Sequence, residues 1–174
     1  TDYKKGYDLA TDSYKSNWKE MGVGCTQCHG DIAATPDAKN GCLIDLKKYH
    51  TSKNSKQQTI DNCATCHSRR GQLDGDFHVG DKFGDHFQLQ LPTQDSLYYA
   101  DGQIKDEDYV WTSLRLSKMG HKGVNCLDCH NPHTTELKLP IENNTLCMSC
   151  HGGGSNGRID GATLINPLSH TKHK

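Results

Sequence analysis

The sequence predicts a small, mainly α-helical protein with extensive irregular coil, whose core the polypeptide does not supply alone. Leu, Ile, Val and Phe together make up 29 of 174 residues, below the roughly 20% at which a highly charged chain is read as disordered. The formal net charge is only −1, so charge does not favour disorder. Apolar side chains recur with a helical period only over short segments. The chain therefore needs another source of apolar surface to offset the entropy cost of folding.

A five-residue motif, Cys-x-x-Cys-His, occurs four times. The copies, here called motifs one to four, are Cys25–His29, Cys63–His67, Cys126–His130 and Cys147–His151. This pattern is the attachment signature of c-type haem. Two sulfurs about one helical turn apart reach the two vinyl groups on one edge of the porphyrin, and the next histidine is an axial ligand of the iron. Four motifs predict four haems of the c type.

The haem-binding residues predicted from the motifs are eight cysteines and four histidines. They are Cys25, Cys28, Cys63, Cys66, Cys126, Cys129, Cys147 and Cys150 for the thioethers, and His29, His67, His130 and His151 as proximal ligands. A structural zinc site is the main alternative, because the cysteines of motifs three and four also fit a C-x-x-C, spacer, C-x-x-C pattern. Zinc does not require a histidine after every second cysteine, and neither do redox-active cysteine pairs. The repeated histidine favours haem.

We interpret the chain as one tetrahaem domain over residues 1–174, with a haem-free segment at 1–24 and a flexible tail at 152–174. Four flat, apolar macrocycles would provide the missing core, and we expect the haem-free polypeptide not to fold. In residues 1–24, Tyr14, Trp18 and Met21 lie at i, i+4 and i+7, which predicts an amphipathic helix.

The middle of the chain is polar. Residues 71–105 are rich in Gly and Asp and predict an irregular connector with little regular structure. Arg69 and Arg70 follow motif two; they are suited to pair with haem propionates, since guanidinium groups match carboxylates, or they are solvated surface arginines.

Residues 106–119 form the strongest helix prediction. Asp106 is a candidate cap at its start, and Gly120 is expected to end it. That helix would deliver His121 just before motif three. Because Cys147 follows Cys126 by only 21 positions, the haems on motifs three and four should be close neighbours.

Eleven histidines are present, so seven remain after the four proximal ligands. An iron that only passes electrons favours six coordination, which requires four more ligands. Placement along the chain favours four of the seven as distal ligands and holds a fifth in reserve. The four are His50, His121, His133 and His170, with His86 as the reserve, while His78 and His173 are weaker candidates. Ligation by Met21 or Met119 is a less favoured alternative.

Composition also restricts the location and the partners. Haem is attached through thioethers outside the cytoplasm, so we expect an exported protein, extracellular or at the cell surface, or alternatively periplasmic. No apolar stretch approaches the 18 or so residues of a membrane span, and the near-neutral charge predicts no nucleic-acid partner. The ninth cysteine, Cys42, is either an inert thiol or a disulfide partner of another chain.

Three segments carry a family likeness. Cys63–Arg70 (CATCHSRR), Tyr98–Ile104 (YYADGQI) and Met119–His133 (MGHKGVNCLDCHNPH) resemble the multihaem cytochromes related to cytochrome c554. The resemblance covers roughly residues 20–170 and implies that His121 and His133 are distal ligands. The chain lacks the helical repeats and further haem motifs of larger relatives. Its tetrahaem core is similar to the subunits of extracellular cytochrome filaments, in which haems stack through the polymer.

These observations predict electron transfer through four bis-histidine haems, and no enzymatic activity. We expect a filament (nanowire) subunit, a homopolymer whose haems stack across subunits, with other redox proteins or extracellular acceptors as partners. A soluble periplasmic electron shuttle is the alternative. A multihaem reductase of a small oxyanion is a third, less favoured because no motif lacks its proximal histidine and spare histidines outnumber the vacant positions.

Overall fold

A computed structural model describes residues 3–29, 56–106, 109–152, 164–166 and 169. The helices are α1 Cys25–His29, α2 Lys56–His67, α3 Phe83–His86, α4 Val110–Leu116, α5 Lys118–His121, α6 Cys126–Cys129 and α7 Thr145–His151, and the strands are β1 Tyr7–Asp8, β2 Ser13–Tyr14, β3 Arg70–Gln72 and β4 Phe87–Leu89. The chain divides into two compact units, Thr1–Val124 and Asn125–Lys174. A small protein of helix and coil with few strand residues is what the sequence predicts.

The N-terminal segment is a hairpin, so the predicted amphipathic helix there is wrong. Strands β1 and β2 pair antiparallel with Tyr7 opposite Tyr14. The Asp8 carboxylate accepts a hydrogen bond from the Ala10 amide at 2.9 Å, and the Tyr7 hydroxyl donates to the Asp12 carboxylate at 2.8 Å. Short polar side chains of this kind satisfy backbone groups outside a helix, and a helix of two or three turns is marginal without packing. Trp18 and Met21 of the expected apolar stripe are exposed.

The longest helix of the described residues, α2, carries the small core of the first unit. Its Ala64 is buried against Phe83 and Phe87, whose rings stack with centroids 5.1 Å apart. Trp111 of α4 packs against this cluster, and its indole N–H donates to the Ile60 carbonyl at 3.3 Å. Helix α2 therefore ends in motif two with its position fixed by aromatic contacts.

The predicted irregular connector is wrong for its first half, residues 71–89. Strands β3 and β4 pair antiparallel, with Gln72 opposite Phe87, and α3 lies immediately before β4. Two core aromatic residues, Phe83 and Phe87, come from this segment. The Gly- and Asp-rich composition does not indicate that these two residues are buried, because Ala64, against which they pack, is distant in the sequence.

The predicted helix over 106–119 is shorter and broken. Asp106 does not cap it; the carboxylate instead accepts a hydrogen bond from Arg69 Nη2 at 2.9 Å. Helix α4 ends where Ser117 adopts an extended backbone, and the Ser117 hydroxyl accepts a hydrogen bond from the Gly120 amide as the N-cap of α5. A serine side chain offers this alternative to a continuous helix.

Gly120 lies within α5 rather than ending it. The terminating glycine is Gly123, in the left-handed region with φ of 82°. Its amide donates to the Gly120 carbonyl at 3.0 Å, and the Val124 amide donates to the Met119 carbonyl at 3.1 Å. This pair of bonds is a Schellman motif, in which glycine carries the positive φ without steric cost.

The described part of the second unit contains only short helical elements joined by coil. Asn125 and Asp128 form a capping box that starts α6, and the 3-10 helix Glu142–Asn144 leads into α7. No described side chain of residues 125–174 is buried. Its described residues thus provide no apolar core of their own.

Apolar burial is sparse in the first unit as well. Five apolar side chains are buried among the described residues, namely Ile60, Ala64, Phe83, Phe87 and Tyr98. Many other large apolar side chains are exposed. None of the described helices is both long and apolar enough to cross a bilayer. The exposed apolar surface is what a polypeptide built around large prosthetic groups would present.

The close approach of α4 and α5 generates a prediction at Gly120. An ideal Cβ on Gly120 would lie 2.0 Å from the Leu114 carbonyl oxygen. Because backbone must move to relieve that overlap, we expect Gly120→Ala to lower the free energy of unfolding of the haem-loaded protein by about 1–3 kcal/mol. Denaturant titration followed by circular dichroism measures the change.

Gly71→Ala is the matched control, because no atom lies within 4 Å of its ideal Cβ. It is expected to change the free energy of unfolding by no more than about 0.5 kcal/mol. Equal stability of the two variants would contradict the close packing of α4 on α5.

Candidate functional site

All four motifs lie on helical turns. Motif one is the whole of α1, motif two ends α2, motif four ends α7, and the two cysteines of motif three bound α6. In a helix, residues i and i+3 lie on one face. The two sulfurs of each motif therefore share a face, as attachment along one porphyrin edge requires.

Motif three differs at its histidine. His130 follows α6 with an extended backbone (φ −107°, ψ 147°) and forms an antiparallel bridge with Leu137. Its amide still donates to the Cys126 carbonyl at 2.9 Å. The capping box at Asn125 fixes the start of this one-turn helix, a signal present in the sequence as Asn-x-x-Asp.

None of the eight motif cysteines is in a disulfide, and all are exposed or half-buried. Burial raises the pKa of the Cys28 thiol, opposed by a hydrogen bond from Asn62, and the nearby Cys66 adds to the rise. Burial also raises the pKa of Cys129, with smaller contributions from Asp128 and from the thiols of motif four. Motifs one and two are thus neighbours, and so are motifs three and four. The second pairing agrees with the short spacing in the sequence.

The zinc alternative finds no support in the described residues. No group of three or more His, Cys, Asp or Glu side chains there is placed to hold a metal ion. The four thiols of motifs three and four do not form the tetrahedral arrangement that a structural zinc requires.

The residues around the motifs fit haem. The thiols of each motif are at least partly exposed. Apolar side chains beside them are also exposed to solvent: Met21 and Val23, just before motif one, are 83% and 77% exposed. Met119, near motif three, is also exposed. Apolar macrocycles bound at these turns would cover such surface.

His121 is presented as a metal ligand would be. It lies at the end of α5, and its Nδ1 is 2.9 Å from the Ser117 carbonyl oxygen. Since a carbonyl only accepts, Nδ1 carries the proton and donates, which leaves the lone pair on Nε2. Histidines that bind metals are commonly held in this way by a backbone carbonyl. The helix break at Ser117, which the sequence pattern does not predict, therefore positions this candidate ligand.

His86, the reserve ligand, is held by two carboxylates. Its Nδ1 is 2.7 Å from the Asp74 carboxylate and its Nε2 is 3.4 Å from that of Asp81. The hydrogen bond to Asp74 raises the pKa of His86 and lowers the pKa of Asp74. Axial ligation by His86 would require breaking these contacts.

The other candidates are divided between exposed and undescribed positions. His78 and His133 are exposed, and the His133 amide donates to the Asn131 side chain at 3.1 Å. His50, His170, His173 and Cys42 lie outside the described residues. Of the four favoured distal ligands, the structure thus describes His121 and His133, and the pairing of ligands with irons stays a prediction.

Neither arginine after motif two is a simple surface residue. Arg70 donates from Nε to the Thr65 carbonyl at 2.6 Å, with its guanidinium 4.2 Å from the centroid of the Phe87 ring. Arg69 donates from Nε to the Gln90 side chain at 3.1 Å and pairs with Asp106. Both side chains are half-buried.

Comparison with known families gives one match. A model of the doubled CXXCH motif matches residues 120–156, which contain motifs three and four together with His121. The doubled motif indicates a multihaem c-type cytochrome. Covalently bound haem c, and with it electron transport, is the function typical of this motif. No curated protein and no solved structure matches the chain, so the likeness to cytochrome c554 and to filament subunits stays a prediction.

The His86 ion pair generates a pH prediction. The raised pKa of His86 contributes stability that is complete below its unfolded pKa and is lost as the pH rises through the folded value. The lowered pKa of Asp74 contributes stability that is present above its unfolded pKa and is lost as the pH falls through the folded value. The pair should therefore stabilise most between about pH 4 and 6.5.

Asp74→Asn tests this window. We expect its melting temperature to lie furthest below that of the haem-loaded wild type near pH 6, with the difference shrinking toward pH 9. Asp85→Asn removes a charge that acts on His86 only at a distance, so it should have a smaller effect. A deficit that does not change with pH would count against the ion pair.

Proposed function

We propose that this protein transfers electrons through four c-type haems, one on each motif, with two histidine ligands per iron. The observation that supports it is the recurrence of one arrangement: two cysteines on one face of a helical turn, followed by a histidine, at four places that pair as neighbours. When bound, haem c supplies a one-electron iron couple. The polypeptide holds, orients and shields that group.

Each motif would hold the macrocycle at three points. The two sulfurs attach its edge, and the following imidazole is placed beneath the iron. The helical turn makes this placement local: in motif three, the capping box and the Cys126 carbonyl order the turn without help from the rest of the fold. Attachment through local structure suits a chain with so little buried apolar surface.

A second imidazole would complete the six coordination of each iron. Among the described histidines, His121 has the ring that is best oriented for this role. The Ser117 carbonyl selects the Nδ1–H form, and the Schellman motif at Gly123 fixes the end of α5 that carries the ring. A ring held in this way needs little reorganisation when the charge on the iron changes, which favours rapid electron exchange over substrate binding.

We further propose that the haem-loaded chain assembles into an extracellular filament, with the shuttle as the alternative. The supporting feature is an N-terminal apolar surface, made of side chains that are each at least 44% exposed. These are Tyr3, Tyr7, Leu9, Tyr14 and Trp18. Exposed apolar patches mark contact sites in soluble proteins, and a second copy of the chain would bury this one.

Replacing His121 tests the ligation. We expect His121→Ala to convert roughly one quarter of the haem signal from six-coordinate low-spin to high-spin, because one of four irons loses an imidazole. Optical absorption and electron paramagnetic resonance of the oxidised protein measure the fraction.

His78→Ala is the matched control, since His78 is exposed and not among the favoured ligands. It should leave the spectrum unchanged. A fully low-spin His121→Ala protein would remove this ligand from the proposal. A purified protein heavier than the polypeptide by fewer than four haems would contradict the proposed count.

The native mass of the haem-loaded protein tests assembly. A filament predicts a broad, high mass and fibres in electron micrographs, and we expect Leu9→Glu together with Trp18→Glu to shift the protein toward the monomer. Leu91→Glu, which adds a charge at another exposed apolar position, should not. A wild-type protein that is monomeric at all concentrations would instead support the shuttle.

A further inference from the structure

A cavity of about 320 Å³ lies beside motif two, within the first unit. Its walls are Cys66, Ser68, Arg69, Arg70, Gln90 and Tyr109. This volume is roughly ten times the share of one water molecule in the liquid. Of the six lining residues that the structure describes, two are arginines and none is acidic, so the cavity favours a negatively charged group.

Arg69 lines this cavity and carries one unused donor. Its Nε donates to Gln90 at 3.1 Å and its Nη2 to Asp106 at 2.9 Å. Its Nη1 is buried and has no hydrogen-bond partner in the part of the chain that the structure describes. A buried charged donor without an acceptor carries a desolvation cost that an additional acceptor would remove.

Two neighbouring side chains in the wall, Arg70 and Ser68, direct their donors elsewhere. Both Nε and Nη2 of Arg70 donate to the Thr65 carbonyl, and the Ser68 hydroxyl donates to the Ala64 carbonyl at 2.7 Å. Arg70 therefore adds positive charge to the cavity, whereas Arg69 Nη1 is a donor that lacks an acceptor.

The chemistry of the donor selects the ligand class. A guanidinium N–H matches a carboxylate oxygen in geometry and charge. Cys66 forms part of the same wall, so a group attached through its sulfur would lie at the cavity. A c-type haem bound there carries carboxylates of its own, its two propionates.

We propose that this cavity is a carboxylate subsite in which Arg69 Nη1 binds a propionate of the haem attached through Cys66. The inference rests on the proposed function, because it requires haem at motif two. It assigns Arg69 a positioning role: the arginine anchors the macrocycle and keeps a positive charge beside one iron.

The test uses haem-loaded protein whose propionate carboxyls are labelled with ¹³C. In Arg69→Gln we expect one labelled carboxylate band to shift in the oxidised-minus-reduced infrared spectrum. We also expect the midpoint potential of one haem to fall and the others to stay, because removal of a nearby positive charge favours the oxidised iron. Arg69→Lys retains the charge, so it should shift the band but restore most of the potential.

Two controls separate this role from a structural one. Asp106→Asn removes the exposed partner of Arg69 and should leave the labelled band in place. Arg115→Gln removes a guanidinium that lies over the Trp111 ring and should affect neither measurement. An unchanged band and potential in Arg69→Gln, or the same band shift in Asp106→Asn, would overturn the subsite.

A free carboxylate from solution is the other possible occupant. In that case the potential of the wild-type protein would change with acetate concentration, and the assignment to a propionate would be overturned. If the protein carries its haems and Arg69→Gln changes neither the labelled band nor the potential, only this inference is contradicted. A purified chain that carries no haem would contradict the proposed function itself.

Discussion

A turn of helix that joins two thiols to an imidazole is the constraint on which this protein depends. The turn is short, so it forms from local backbone bonds and a cap, as Asn125 and Asp128 show at motif three. The rest of the chain is poor in apolar residues, since Leu, Ile, Val and Phe number only 29 of 174, too few for an ordinary core. The rest of the fold is best understood as the means of bringing these turns into neighbouring pairs.

The core that does exist serves this purpose. Three aromatic rings from α3, β4 and α4 pack near Ala64, one position after the first cysteine of motif two. Burial of a few such rings contributes several kcal/mol, enough to fix α2 and its motif. In contrast, the described part of the second unit has no buried side chain. Bound macrocycles would have to supply its interior, in keeping with the doubled motif that matches there.

Residues outside the motifs contact the candidate ligands and attachment points. The break at Ser117 selects one tautomer of His121, and the Asp74 carboxylate engages His86 instead of leaving its ring open. Arg69 keeps one buried donor unsatisfied beside motif two. Each is a second layer of contacts around a candidate ligand or attachment point, and such contacts govern ligand orientation and redox potential in metalloproteins.

Sequence by itself determined the chemistry of this protein, because thioether attachment and axial ligation need fixed residue types at fixed spacing. The helical form of the motifs and the neighbouring placement of motifs three and four followed from that spacing. Tertiary structure decided what depends on distant partners. Phe83 and Phe87 pack on Ala64 from within a Gly- and Asp-rich segment, and Asp106 pairs with Arg69 instead of capping α4. Local periodicity and composition do not encode such long-range packing and charge pairing, whereas a covalent motif carries its geometry within five residues.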